Sequence, residues 1–117
     1  MPESEHPYNL RKLIDYIGDN PETIREMVGI FLHSASDLSS QMLDSGMKND
    51  WENVAKAAHK LKPSLDIFGM DELMAPIRQI EQQAKNGGPA DETFNLVESL
   101  VHRLQSIMLY MRSDYQF

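Results

Sequence analysis

Residues 51–68 read WENVAKAAHKLKPSLDIF, with apolar side chains at every third or fourth position. An α-helix turns about 100° per residue, so this spacing collects the apolar side chains on one side. The resulting stripe comprises Trp51, Val54, Ala58, Leu61, Leu65 and Phe68. The segment therefore predicts an amphipathic helix, with one face packed on other parts of the protein and the other face in water.

Three further segments have the same helical period. Their stripes are Ile24, Met27, Val28, Phe31, Ala35, Leu38 and Met42; Leu73, Ile77, Ile80 and Ala84; and Phe94, Val97, Val101, Leu104, Met108 and Met111. A shorter apolar segment precedes them, with Leu10, Leu13, Ile14 and Ile17. No stretch alternates apolar and polar residues as a half-buried strand would. We therefore predict an all-α protein, an antiparallel up-down four-helix bundle with a short N-terminal lead-in helix.

Turn-forming residues separate these segments. They lie at Gly18-Asp19-Asn20-Pro21, at Gly46 with Asn49-Asp50, at Gly69 with Asp71, and at Asn86-Gly87-Gly88-Pro89. In the first of these breaks, Gly18 suits a left-handed helix end and Asn20 an N-cap, and Pro21 suits the first position of the next helix. The connections are short, which favours neighbouring helices that run in opposite directions.

Size and charge limit the class of protein. The chain has 117 residues, the size of one domain, and we expect residues 1–117 to form a single helical-bundle domain. Its net charge of -7 argues against a general nucleic-acid binder, which needs a basic face for the phosphates. There is no cysteine, and no apolar run reaches the length of a membrane span. We expect a cytoplasmic protein that does not insert into a membrane.

His59 is the first candidate for chemistry. It lies about 130° from the centre of the apolar stripe of its helix, so its side chain is expected to point outward. Ala55, Lys56, Lys62 and Pro63 are three or four positions away and share its patch of surface. Ala55 leaves the imidazole accessible, and Lys62 places a cation where phosphate oxygens on His59 would lie. The alternative is an ordinary solvated charged face; His33 and His102 also point outward on their helices.

The string from Ala58 to Gly69 favours the chemical interpretation, because it closely resembles the signature of histidine-containing phosphotransfer (HPt) domains. The residues that match in type and spacing are His59, Leu61, Lys62, Ser64 and Gly69. The resemblance extends upstream over the stretch from Leu13 to Phe31, and downstream into the following helix. It implies that His59 is phosphorylated on Nε2, that Lys62 lies beside the phosphoryl group, that Leu61 is core and that Gly69 lets the chain turn.

The resemblance also implies partners. An HPt domain takes a phosphoryl group from the aspartyl phosphate of a receiver domain and passes it to another receiver domain. The expected partners are therefore response-regulator receiver domains and a hybrid sensor histidine kinase, with the protein itself a monomer. We expect a phosphoryl carrier without ATP-dependent kinase activity, since the sequence has no glycine-rich phosphate loop. No cofactor is expected, and no metal site, because no two histidines have ligand spacing within one helix.

A second site residue is expected on the next helix. In the chemotaxis-kinase branch of the family a glutamate there contacts the other histidine nitrogen, and its spacing places it at Glu81. A carboxylate in that position could hold the Nδ1–H tautomer and leave Nε2 free to attack. The alternative for Glu81 is an ordinary charge on the flank of the helix. Gln79, Gln82 and Gln83 are further candidates for the same hydrogen bond.

The expected docking surface surrounds His59, and one residue in it departs from the family pattern. The predicted docking residues are Ala55, Lys56, Lys60, Pro63, Ser64 and Ile67. Glycine usually stands in the family where this chain has Pro63, whose missing N–H and bulky ring predict a kink directly after His59. That change motivates an alternative function, an adaptor that binds receiver domains but has lost transfer. A third hypothesis is an unrelated structural helical bundle.

Overall fold

The computed structural model describes residues 7–117 and is all-helical, with no strand in that range. It contains five α-helices and one short 3-10 turn. Their bounds are α1 Arg11–Ile17, α2 Pro21–Met47, α3 Trp51–Ile67, the 3-10 turn Asp71–Leu73, α4 Met74–Lys85 and α5 Ala90–Tyr115. The predicted all-α class is therefore confirmed, including the short helix that precedes the four longer ones.

The N-terminal ends of α2 and α3 are capped by polar side chains. The Asn20 side chain accepts hydrogen bonds from the backbone N–H groups of Glu22 and Thr23, and Pro21 is the first residue of α2. Asp50 caps α3 in the same manner by accepting from the N–H of Asn53. Gly18 and Gly69 have positive φ angles of 84° and 66°, which residues with a Cβ rarely adopt. Gly18 ends α1 as predicted, but its ψ of 178° lies outside the left-handed helical region that the sequence predicted.

The predicted break between α2 and α3 is present at residues 48–50, but Gly46 is not part of it. Gly46 does not end α2: it lies inside the last turn of that helix and is buried, and the helix continues to Met47. A Cβ on Gly46 would lie 2.8 Å from Cδ1 of Phe94. Close packing between α2 and α5 therefore explains this glycine, and the chain leaves the helix only after it.

The four long helices share one core. α2 packs against α3 and α5, α3 packs against α4, and α4 packs against α5, so the contacts form a closed circuit. The predicted stripes meet inside it: Met42, Leu61, Leu65, Ile77, Ile80 and Leu104 are all fully buried. Burial of a leucine-sized side chain contributes about 1.5–3 kcal/mol to folding. The up-down, antiparallel order of these helices stays a prediction from the short connections.

The chain before α2 is attached to the end of α3. The backbone N–H of Asn9 donates to the carbonyl of Phe68 at 3.2 Å. Lys12 of α1 forms an ion pair with Asp66 of α3 at 2.7 Å. The segment around α1 therefore covers the turn that leads from α3 into α4.

Candidate functional site

His59 lies on the outer side of α3, as the helical period predicts. Its side chain is 68% exposed, whereas Ala58 and Leu61 on the same helix are fully buried. Helix α3 continues through Pro63 to Ile67. A rigid, packed helix therefore presents the imidazole to solvent.

Glu81 on α4 contacts this imidazole. Its Oε2 lies 2.8 Å from Nδ1 of His59, although the Glu81 side chain itself is only 8% exposed. Because an ionised carboxylate can only accept, this contact places the ring hydrogen on Nδ1. Nε2 then keeps its lone pair free for an attack on an electrophile.

Two lysines bind the same carboxylate from other directions. Nζ of Lys62 donates to Oε1 of Glu81 at 2.7 Å, and Nζ of Lys85 lies 3.3 Å from Oε2. Lys85 was not among the residues predicted from the sequence. Its signal was its position four residues after Glu81, a spacing at which a glutamate and a lysine meet on one helix face.

Lys62, His59 and Lys85 stabilise the ionised form of Glu81. The hydrogen bond from Lys62 has the largest effect on the pKa of Glu81 and lowers it. The hydrogen bonds from His59 and Lys85 also lower this pKa. Burial opposes them, but the net result lowers the pKa of Glu81 from 4.5 to about 2. Glu81 therefore remains a carboxylate throughout the physiological pH range.

This shift predicts how stability depends on pH. A carboxyl whose pKa is lower in the folded than in the unfolded state stabilises the fold above its unfolded pKa. We expect that contribution to be complete above pH 4.5 and to be lost as the pH falls toward about 2. Urea unfolding from pH 6 to pH 2 should show a steeper loss of stability for the wild type than for Glu81→Gln. Parallel curves would contradict the prediction.

An open groove of about 590 Å³ runs beside His59 between α3 and α4. Its lining residues are Glu52, Ala55, Lys56, His59, Lys60, Ala84 and Lys85. Small, buried alanines form the floor, because Ala55 and Ala84 are only 6% and 4% exposed. Lysines stand at its edge, and Lys56 also pairs with Glu52 at 3.5 Å. Ala55 therefore contributes a contact surface rather than a projecting side chain.

The remaining predicted residues are not in the groove. Pro63 is exposed and Ser64 and Ile67 are half-buried, farther along α3. Gln79 and Gln82 are exposed on α4, and the amide oxygen of Gln83 accepts a hydrogen bond from Thr93 at 2.8 Å. Of the four candidates on α4, Glu81 is the one for which the structure shows a hydrogen bond to His59.

The described residues show neither a candidate metal site nor a candidate membrane span. Within residues 7–117, no three histidine, cysteine, aspartate or glutamate side chains are grouped as a metal site would require. No helix in this part of the chain combines the length and the apolar character needed to cross a membrane.

Comparison with known proteins supplies a family. The family model described as "Hpt domain" matches residues 26–107, which contain all of α3 and α4 and most of α2 and α5. No curated protein and no solved structure gives a significant match. Members of the matched family carry phosphoryl groups on histidine in phosphorelays, as carriers rather than enzymes, and work with receiver domains and kinases. Since the match covers more than half of its length, this chain belongs to the Hpt domain family.

Proposed function

We propose that the protein is a phosphorelay carrier in which His59 accepts a phosphoryl group from the aspartyl phosphate of one receiver domain and gives it to another. The observation that supports this most directly is the pairing of an exposed imidazole with a buried carboxylate. Nδ1 of His59 lies 2.8 Å from Glu81, and the imidazole side chain is 68% exposed. The ring is therefore oriented, correctly protonated and accessible at once.

The step needs few groups from this chain. The lone pair of Nε2 attacks phosphorus, the bond between phosphorus and the aspartyl oxygen breaks, and the aspartate leaves as a carboxylate. The ring then carries the phosphoryl group on Nε2 and its hydrogen on Nδ1, so it becomes an imidazolium. The ionised Glu81 offsets that positive charge, as a carboxylate does for histidine in other nucleophilic sites. The same hydrogen bond fixes the tautomer before the attack.

The partner must bring its phosphorylated aspartate to Nε2. The groove beside His59 offers a shallow alanine floor, Ala55 and Ala84, that lets another protein approach closely. Lys56 and Lys60 at its edge attract an acidic partner surface. Pro63, Ser64 and Ile67 extend this surface along α3. Receiver domains of response regulators and of a hybrid sensor kinase are the proposed partners.

Transfer from a purified, radiolabelled receiver domain tests the proposal. We expect label on the protein that is lost in acid and retained in base, as phosphohistidine is. The receiver should lose label at the same rate. Acid-stable label, or no label with any receiver of the source organism, would contradict a phosphohistidine carrier.

Pro63 supports a second candidate, a receiver-binding adaptor that has lost transfer. Proline has no N–H to donate to the carbonyl of His59, one turn earlier, so the turn that carries the imidazole lacks one helical hydrogen bond. An adaptor would bind a receiver domain without acquiring label, and Pro63→Gly would then restore transfer. The carrier proposal expects wild-type transfer already, changed less than tenfold by Pro63→Gly. Calorimetric binding measured beside the transfer assay separates the two.

A further inference from the structure

Lys85 is the last residue of α4 and lies one turn after Glu81. Its Nζ is 3.3 Å from Oε2, the same oxygen that contacts Nδ1 of His59. Lys85 and the imidazole therefore share one acceptor atom. A carboxylate oxygen has two lone pairs, so it can serve both donors at once and keep the imidazole if the lysine leaves.

The two lysines at Glu81 differ in how firmly they are held. Lys62 has the shorter contact, 2.7 Å to Oε1, and its side chain is 30% exposed. Lys85 has the longer contact, and its side chain is 63% exposed. A lysine ammonium on a flexible four-carbon stem can turn to a new partner when it is exposed. Lys85 is therefore the cation of this pair that is able to move.

The groove is the space into which the Lys85 side chain can turn. Lys85 and His59 both line it, whereas Lys62 and Glu81 do not. Lys62 donates to Oε1 of Glu81, the carboxylate oxygen that does not contact the imidazole. Lys85 instead borders the same open space as the exposed part of the imidazole. Because Glu81 occupies Nδ1, a phosphoryl group would be carried on Nε2 of an imidazole that lines this space.

We propose that Lys85 is the phosphoryl-binding cation of this site and turns from Glu81 to the phosphoryl oxygens when His59 is phosphorylated. This inference rests on the function proposed above. A phosphoryl dianion carries about twice the charge of a carboxylate and offers three acceptor oxygens. Lys85 would exchange a shared carboxylate oxygen for that group, and Lys62 and the imidazole would retain Glu81.

Phosphorus NMR of the intact protein tests the inference without a partner. His59 is phosphorylated with phosphoramidate, a small-molecule donor, and the phosphoryl resonance that is missing from His59→Gln is followed against pH. A cation in contact with the dianion lowers the second pKa of the phosphoryl group, so Lys85→Gln should raise that pKa. Lys85→Gln should also lose its phosphoryl group faster than the wild type, because the ion pair with the lysine is missing. The expected increase in rate is only about threefold, since an exposed ion pair is weak.

Three further variants test whether the effect on the phosphoryl pKa belongs to Lys85. Lys48→Gln removes the same charge from an exposed residue outside the groove and should titrate as the wild type does. Lys85→Arg retains the cation and should restore most of the lower pKa. The inference is overturned if Lys85→Gln matches Lys48→Gln, or if Lys62→Gln alone raises the pKa.

The test also separates this inference from the function on which it depends. Labelled His59 with an unchanged titration in Lys85→Gln overturns only the role of Lys85. Failure of phosphoramidate to label His59 in the folded wild type would contradict both the role of Lys85 and the carrier function proposed for His59. A nitrogen-15 spectrum of the unphosphorylated variant should still show the Nδ1–H tautomer. Loss of that tautomer would mean that Lys85 acts through Glu81 instead, which contradicts direct binding.

Discussion

Phosphoryl uptake is expected to disappear when His59 is replaced by glutamine. An amide nitrogen has no free lone pair comparable to that of Nε2, so the variant lacks a nucleophile. The fold should persist, because the side chain at position 59 is 68% exposed. The glutamine amide can also still donate to Glu81, which keeps the buried carboxylate paired. We expect a change in the free energy of unfolding of no more than about 1 kcal/mol.

Two other histidines provide matched controls for this prediction. His33 on α2 and His102 on α5 are both exposed, so phosphoramidate or a receiver domain could reach either. The structure shows His33 beside Asp37 at 3.8 Å, a longer contact than that between His59 and Glu81. His33→Gln and His102→Gln should therefore take up label as the wild type does.

The measurement is label transferred from a phosphorylated receiver domain, with thermal unfolding of each variant alongside. Label retained by folded His59→Gln would show that another residue is the acceptor. Normal uptake by the two controls, together with none by His59→Gln, would assign the acceptor to one residue.

Local structure could be predicted from the sequence because its causes are local. The period of the apolar residues defined four long helices, and the polar caps and glycines marked where most of them end. Asn20 shows the cause directly, since its side chain binds the N–H groups of Glu22 and Thr23. The outward direction of His59 followed from helix rotation in the same way.

Contacts between helices could not be derived from that rotation alone. The period puts Glu81 on a flank of α4, but the relative height of α3 and α4 determines whether Glu81 or a neighbouring glutamine meets His59. The family resemblance supplied that choice. Lys85 was missed because its spacing from Glu81 is also that of an ordinary surface ion pair. The place of Gly46 inside α2 could not be predicted either, because its close contact with Phe94 joins distant parts of the chain.

The contact of Gly69 with a distant part of the chain was also not predictable from helical period. Among the substitutions considered, Gly69→Ala should reduce the stability of the fold most. The sequence indicates a turn there, and the structure adds that the Asn9 backbone crosses directly over it. A Cβ on Gly69 would lie 2.5 Å from the carbonyl oxygen of Asn9. The backbone also has a φ of 66°, which costs a non-glycine residue about 1 kcal/mol or more. We expect Gly69→Ala to lower the free energy of unfolding by about 3 kcal/mol.

Gly87 is the matched control, because it has a similar positive φ but no neighbour that a Cβ would meet. Its φ is 80°, and a Cβ there would meet nothing within 4 Å. Gly87→Ala should therefore cost only about 1 kcal/mol, the strain of the angle itself. Hydrogen exchange gives an independent measure, because the N–H of Asn9 donates to the carbonyl of Phe68. That amide should lose protection in Gly69→Ala and retain it in Gly87→Ala. Equal losses of stability in the two variants would mean that the N-terminal segment does not press on this turn in solution.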